Sequence, residues 1–520
     1  MQLIVILNII IYKKSSVLKK INSFYKNKRL LVNASFSVFQ VIFLSLTYFV
    51  IYTILLKKLG ASQLGIWSLV LATSSVGGVA SAGLSSSLVK YIALHSVDSE
   101  FKKINKLIHT GLISAVAFNL IIIISLYFLG KFFLLKSLST NEAKEAISLL
   151  PYSLISLLLN TIGGIFISVL EGLHHSFLRS LIYIFSSLAF LILAFLLIGH
   201  YGLMGVAISQ ICQSFVVLFF GIIFVRTVFK KFELFPLKWD KAVFKETFKY
   251  SLNFQAISIF TILTEPLSKF LLSKFAGLSF VGYYELASRL ITQLRSLIIS
   301  ANQVVIPFVS SKYSRSDNSR DESYPKILQF MFYISAFFML GLAVFSPFIS
   351  ILWIGKFNPI FVFSMIVLCV GMTLNILSTP AYFSSMGMGF LRGILVSHIA
   401  ILAINALLGF AFGSYYGGWG IVVSYSIALF AGSLITMIYY HVKYKFNFFN
   451  AVSKNSKWTS AFVALLLCSF SLIVYNYQTL TLIEYLYVAI IGLSLYSLWV
   501  YFIERDVVKF FIEIVKSKLN

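Results

Sequence analysis

Two otherwise apolar stretches carry polar and ionisable side chains at helical spacing. Glu285, Arg289, Thr292, Ser296, Ser300 and Gln303 follow one another at intervals of 4, 3, 4, 4 and 3 residues. At about 100° per residue they fall on one stripe about 80° wide, with Arg295 beside it. Upstream, Ser251, Gln255, Ser258, Glu265, Ser268 and Lys269 share a second face, and Pro266 follows Glu265 directly. An ionised group at the centre of a bilayer costs about 2.5–3.5 kcal/mol even on the most lenient insertion scale, so these stripes belong against protein or a water-filled cavity. There, Lys269, Arg289 and Arg295 have the chemistry to hold an anion, and Gln255 and Gln303 to bond hydroxyl groups. A weaker polar face carries Asn33, Ser37, Gln40 and Thr47. Pro266 removes a helix hydrogen bond in mid-span and permits a bend, which makes it a hinge candidate.

A blander chemistry competes. Glu265 with Lys269 and Glu285 with Arg289 are i,i+4 pairs that can neutralise one another and hold a bundle together. Arg295 has no acid at such spacing, which favours a cavity role. Nothing resembles a catalytic or metal centre: Cys212, Cys369 and Cys468 each lie in an apolar run without metal-ligand spacing. His109, His200 and His398 are scattered, and Glu171, Arg179 and Arg392 sit at turns, where interhelical salt bridges suffice. Trp67, Trp353, Trp419, Tyr283 and Tyr284 lie near span ends and read as an aromatic belt.

The elements that must position these residues are membrane helices. Of 520 residues, 59% are hydrophobic, 17% aromatic and only 11% charged, with a mean hydropathy of +0.92. That excludes a water-soluble domain. Apolar stretches of about 18–25 residues recur about fourteen times. The first two lie near 35–56 and 64–84, the seventh and eighth near 250–273 and 282–307, the eleventh and twelfth near 393–412 and 418–440, and the last two near 459–477 and 484–503. Residues 1–12 are apolar but too short to span, and basic residues follow instead of preceding them, so they read as interfacial. The formal charge of +25 finds a topological explanation. With a cytoplasmic N-terminus, about 32 basic residues fall on the cytoplasmic side, about 7 outside and about 3 within spans. Both termini are then cytoplasmic, the basic clusters attract anionic membrane lipids, and a nucleic-acid partner is disfavoured.

The chain also repeats itself. Leu55 to Leu59, with Gly65 and Trp67, is echoed by Leu271 to Phe275, with Gly282 and Tyr283, at an offset of 216 or 217. Phe177-Leu178-Arg179-Ser180 returns as Phe390-Leu391-Arg392-Gly393, and Gly199, Gly202, Gly205 and Ser209 as Gly413, Gly417, Gly420 and Ser424. An even number of spans per half makes this a parallel repeat with a substrate site between the halves. The fold class expected is therefore an all-α polytopic membrane protein of two six-helix lobes plus a C-terminal helix pair. The expected boundaries are a basic N-terminal segment at 1–30, lobes at 31–245 and 246–450, and the helix pair with a cytoplasmic tail at 451–520.

At this point the residues resemble a known family. Gly60-Ala61-Ser62-Gln63-Leu64-Gly65-Ile66-Trp67 and Ser81-Ala82-Gly83-Leu84-Ser85-Ser86-Ser87-Leu88-Val89-Lys90-Tyr91 look like the first-to-second helix region of Wzx-type oligosaccharide-lipid flippases. Those flippases are the polysaccharide transporter branch of the MATE-like (MOP) exporter superfamily. Gly282-Tyr283-Tyr284, Ala287-Ser288-Arg289-Leu290 and Leu352-Trp353-Ile354-Gly355 look like the second half of the same family. The resemblance covers about residues 30–450, in order. It implies a bacterial inner-membrane flippase, not an enzyme. Such a protein moves undecaprenyl-diphosphate-linked oligosaccharide units outward by alternating access, for O-antigen, capsule or exopolysaccharide synthesis. It implies no cofactor and no metal, and a polysaccharide polymerase and chain-length regulator as partners. Ser81 and Ser268 stand where relatives often carry Asp, which leaves coupling to a proton or sodium gradient open; Glu265, three residues before Ser268, is the acid placed to take it over. The competing readings are a lipid II flippase, an ion-coupled MATE-type drug exporter and, from another class, a membrane glycan polymerase or glycosyltransferase. A drug exporter needs cavity acids, and here three intramembrane bases face two acids. A polymerase or glycosyltransferase needs a sizeable extramembrane loop carrying acids, and the largest loops here are basic.

Overall fold

The computed structural model describes residues 14–97, 100–313, 319–388, 390–446 and 482–503. Residues 1–12, Cys468 and the expected span at 459–477 lie outside them. The described residues form helices and no strand. In chain order these are α1 (Lys14–Ser75), a 3-10 turn (Val76–Gly78), α2 (Val79–Val97), α3 (Phe101–Ser137), α4 (Thr140–Gly172), α5 (Ser176–Tyr201), α6 (Leu203–Val228), α7 (Lys241–Ala276), α8 (Leu278–Tyr313), α9 (Ser319–Ile354), α10 (Pro359–Leu377), α11 (Thr379–Gly387), α12 (Arg392–Tyr444) and α13 (Leu482–Ile503). An all-helical design follows from the solvent, since in hydrocarbon every backbone polar group must be paired within its own segment. Side chains that would be misplaced in water, such as Phe128, Phe195 and Leu407, are exposed on the surface that lipid covers.

Among the described residues, nine helices are long and apolar enough to cross a membrane, fewer than the roughly fourteen spans counted from hydropathy. The difference has physical causes. α1 holds two expected spans, joined at Gly60 with φ of 86°, and α12 holds two more, joined at Gly417. α8 is a full-length helix whose polar stripe keeps it below the hydropathy of its neighbours. α7 runs through Pro266 as one helix.

The duplication is visible in the backbone. Gly202, between α5 and α6, has φ 56° and ψ −134°; Gly417, 215 residues later, has φ 59° and ψ −140°. A side chain is strained in that region of conformational space, so glycine recurs where the two helices must reverse tightly. The halves meet reciprocally. A Cβ at Gly65 would run into the Leu278 carbonyl, and one at Gly282 into the Ala61 carbonyl. Both glycines and both contacted residues are 217 apart, the signature of a pseudo-two-fold axis. Backbones can come this close only where no side chain intervenes, which is how helices gain packing energy in lipid. Around this contact the main core joins both halves: Leu55, Leu64 and Trp67 pack with Leu272, Val281, Tyr284 and Phe361. A second core of α2, α3, α4 and α6 includes Leu88, Ile108, Phe166 and Val217.

Candidate functional site

At the axis, Glu285 of α8 is fully buried and accepts four hydrogen bonds. Tyr52 Oη donates at 2.9 Å, Ser68 Oγ at 3.0 Å, Lys269 Nζ at 2.8 Å and Arg289 Nε at 2.8 Å. An ionised carboxylate offers about four lone-pair sites, and all are occupied. Lys269 also reaches Glu265 at 2.7 Å, so both i,i+4 pairs read from the sequence form, and Lys269 links them. Its side chain is 2% exposed, whereas Glu265 is 51% exposed. Lys269 therefore holds two carboxylates in this arrangement. Arg289 is 30% exposed, with its guanidinium carbon 5.4 Å from the Tyr48 ring and 5.7 Å from that of Tyr52.

Arg289 also lines a cavity of about 230 Å³ within the first half. Its walls come from α1, α4, α5 and α6 and include Tyr48, Trp67 and Phe190 together with Ser74, Ser153, Asn160, Gln210 and Gln213. Ser153 donates to Ser74 at 2.6 Å, and Asn160 Nδ2 to Ser214 at 2.7 Å. Gln210 Oε1 is buried without a hydrogen-bond partner.

Arg295 lies one turn and a half further along α8. Its Nε donates to Asn375 Oδ1 of α10 at 3.0 Å, and Asn375 Nδ2 donates to Ser433 at 3.3 Å. Tyr382, His398 and Tyr425 lie near enough to interact with it electrostatically. Among the described residues no carboxylate lies within ion-pair distance of Arg295, in keeping with the missing acid in the sequence. Gln40 is partly buried with an unpartnered carbonyl oxygen, and Gln255 is partly buried on α7. The side chains of Gln303, Ser81 and Ser251 fall outside the described set. Ser268 is buried and accepts from Asn405 Nδ2 at 2.9 Å, so it ties α7 to α12. No three His, Cys, Asp or Glu side chains among the described residues gather as a metal site.

At the end of the molecule where α2 meets α3 and α6 meets α7, exposed ion pairs replace this buried network. Asp240 caps α7, accepting from the amides of Ala242 at 2.9 Å and Val243 at 3.2 Å, and takes Lys106 at 3.1 Å. The Lys106 ammonium, followed by the Val243 amide, holds the Asp240 carboxyl below the usual range. Glu100 is lowered likewise by Lys103 and then by His95.

The sequence reading missed Tyr48, Tyr52, Ser68, Asn160, Gln210 and Gln213. A signal was present. Tyr52 and Lys269 are 217 apart, as are Ser68 and Glu285, while Asn160 and Asn375 are 215 apart. Carrying the repeat through to every polar position would have singled out Tyr52 and Ser68 as the equivalents of Lys269 and Glu285.

Two helical halves thus meet about a pseudo-two-fold axis, with a polar core at their junction. Known structures share that fold. An inward-facing multidrug resistance MATE family transporter of the MOP superfamily matches with a TM-score of 0.66 at 15% identity, over 77% of this chain and 94% of that one. The lipid II flippase MurJ, in an inward closed conformation, matches with 0.69 at 17% identity, over 92% of this chain and 100% of that one. A MOP superfamily transporter from Pyrococcus furiosus matches with 0.58 at 14% identity, over 79% and 95%. No curated protein matches the sequence. The model of the family described as "Polysaccharide biosynthesis protein" matches residues 30–313, more than half of the chain, and the protein belongs to that family.

Proposed function

We propose that this protein is a flippase that carries a diphosphate-linked oligosaccharide on a polyprenyl lipid from the cytoplasmic to the outer leaflet of the bacterial inner membrane. The observation that carries the reading is Arg295, a cation inside a membrane helix with an amide partner and no counter-ion among the described residues. Burying a cation without a counter-ion is costly unless a ligand supplies the charge. Arg289, partly exposed beside it on α8, provides a second guanidinium, and such groups bind phosphate oxygens in a fork. Lys269 positions Glu265 and Glu285, and Gln40, Gln255 and Gln303 remain candidates for sugar hydroxyls. The lobes at 31–245 and 246–450 move about the axis, with Pro266 as the hinge of α7. A cytoplasmic N-terminus puts the Gly60 and Gly277 turns outside. Their tight contact then closes the outer face, with the binding groups reached from the cytoplasm. No covalent chemistry is needed, and the product leaflet supplies the polymerase that consumes the unit.

The test is deletion of the gene followed by labelling of the lipid-linked sugar in intact and opened cells. Label confined to opened cells supports a flippase; label in intact cells refutes it. Arg289→Ala and Arg295→Ala should each abolish surface glycan at normal membrane levels. Glu265, the half-exposed acid, is what an ion-coupled drug exporter would use. Glu265→Gln should spare glycan export if the passenger is the anion, and its loss together with proton- or sodium-driven efflux would favour the exporter.

A further inference from the structure

We infer that the cavity in the first half is a binding site for a neutral sugar ring, the one attached directly to the diphosphate; this rests on the flippase reading. Its chemistry is selective. Among the described residues the only charged group lining it is Arg289, so an organic cation would meet repulsion and no counter-charge. An apolar guest would strip water from the Asn160, Gln210 and Gln213 amides without pairing them, which costs free energy. A pyranose suits this mixed lining, because its rim carries hydroxyls that donate and accept while its faces present C–H groups. Asn160, Gln210 and Gln213 can each donate and accept through one amide. Trp67, Tyr48 and Phe190 supply aromatic surface in the same lining. The volume of about 230 Å³ is below the roughly 300–1,000 Å³ of sites for whole drug-sized ligands, which matches one ring of a larger molecule.

Arg289 places that ring in the passenger. It belongs to the second half yet lines this cavity, so a phosphate on its guanidinium has its first sugar facing the first half.

The test is binding to the purified full-length protein of undecaprenyl diphosphate, bare or carrying a single hexose or N-acetylhexosamine, across a panel of such sugars. The expected result is that wild type prefers at least one sugar-bearing lipid to the bare one. Asn160→Leu and Gln210→Leu should each weaken that preference about three- to tenfold, one hydrogen bond's worth, and leave the bare lipid unaffected. Gln213→Leu provides a third variant should either of those fail to reach the membrane. Equal binding of bare and sugar-bearing lipids by wild type, or an intact preference in the variants, overturns the site. The flippase reading fails separately, if Arg289→Ala and Arg295→Ala bind bare undecaprenyl diphosphate as wild type does.

Discussion

Replacing Glu285 by Gln keeps the volume at the axis and removes one charge. The carboxylate serves two cations, Lys269 and Arg289, and two hydroxyls, Tyr52 and Ser68. The amide oxygen of Gln satisfies some of these donors, while its NH2 opposes the rest. Breaking a buried pair by removing one partner costs about 3–5 kcal/mol. Lys269 retains Glu265 and Arg289 is partly exposed, so the expected loss is at the lower end, about 3 kcal/mol. The assay is the thermal midpoint of monodisperse protein in detergent, for Glu285→Gln, Lys269→Met and the double variant. Glu285→Gln should be clearly less stable than wild type. The double variant should recover part of the loss, because it no longer buries Lys269 beside an amide. A midpoint equal to wild type for Glu285→Gln, or strictly additive losses in the double variant, would refute the reasoning.

Two further perturbations test the fold around the site. Gly282→Val puts a side chain into the Ala61 carbonyl, where only backbone can yield; it should cost about 1–3 kcal/mol in the same thermal assay. Gly341→Ala is the control, since its Cβ would meet Leu493 at an ordinary 3.7 Å and Ala is the better helix former, so its midpoint should not fall. Because the Asp240 carboxyl titrates below its ordinary value, its contribution to stability is present above the unfolded pKa and is lost as the pH falls through the folded one. The tie to Lys106 is thus constant near neutrality, and Asp240→Asn should lower the midpoint equally at pH 6 and pH 8; a difference confined to one of the two would contradict it.

The sequence made the stripes on α7 and α8 legible because polar groups in lipid must share a face, and the face shows as a spacing. Both i,i+4 pairs were legible for the same local reason. What local spacing does not contain is that Tyr52 and Glu285, 233 residues apart, touch. That contact follows from the axis, not from either helix. Span boundaries were read from hydropathy alone. Hydropathy separates two crossings wherever polarity rises, whereas at Gly60 and Gly417 the chain turns on a single glycine and the helix continues almost without interruption. The cavity was hidden because Ser, Asn and Gln scattered over three helices have no period in common.

The asymmetry of the axial cluster bears on how the halves separate. Tyr52 and Lys269 occupy equivalent positions, as do Ser68 and Glu285. Had both halves kept the charged pair, two lysines and two carboxylates would be buried against each other, with several kcal/mol of desolvation for each ion. Here all charges lie in the second half. The ion pairs joining Glu265, Lys269, Glu285 and Arg289 stay within α7 and α8, and the hydrogen bonds to Glu285 that cross the junction come from the Tyr52 and Ser68 hydroxyls. Hydrogen bonds to a charged group contribute about 1.5–3 kcal/mol each, and water can replace them once the gap opens. Opening at this point therefore exchanges two hydroxyl donors for water and breaks no ion pair. It also frees Arg289 from the faces of Tyr48 and Tyr52. A rigid charged element in one half, held by neutral groups of the other, lets the junction be both closed and separable.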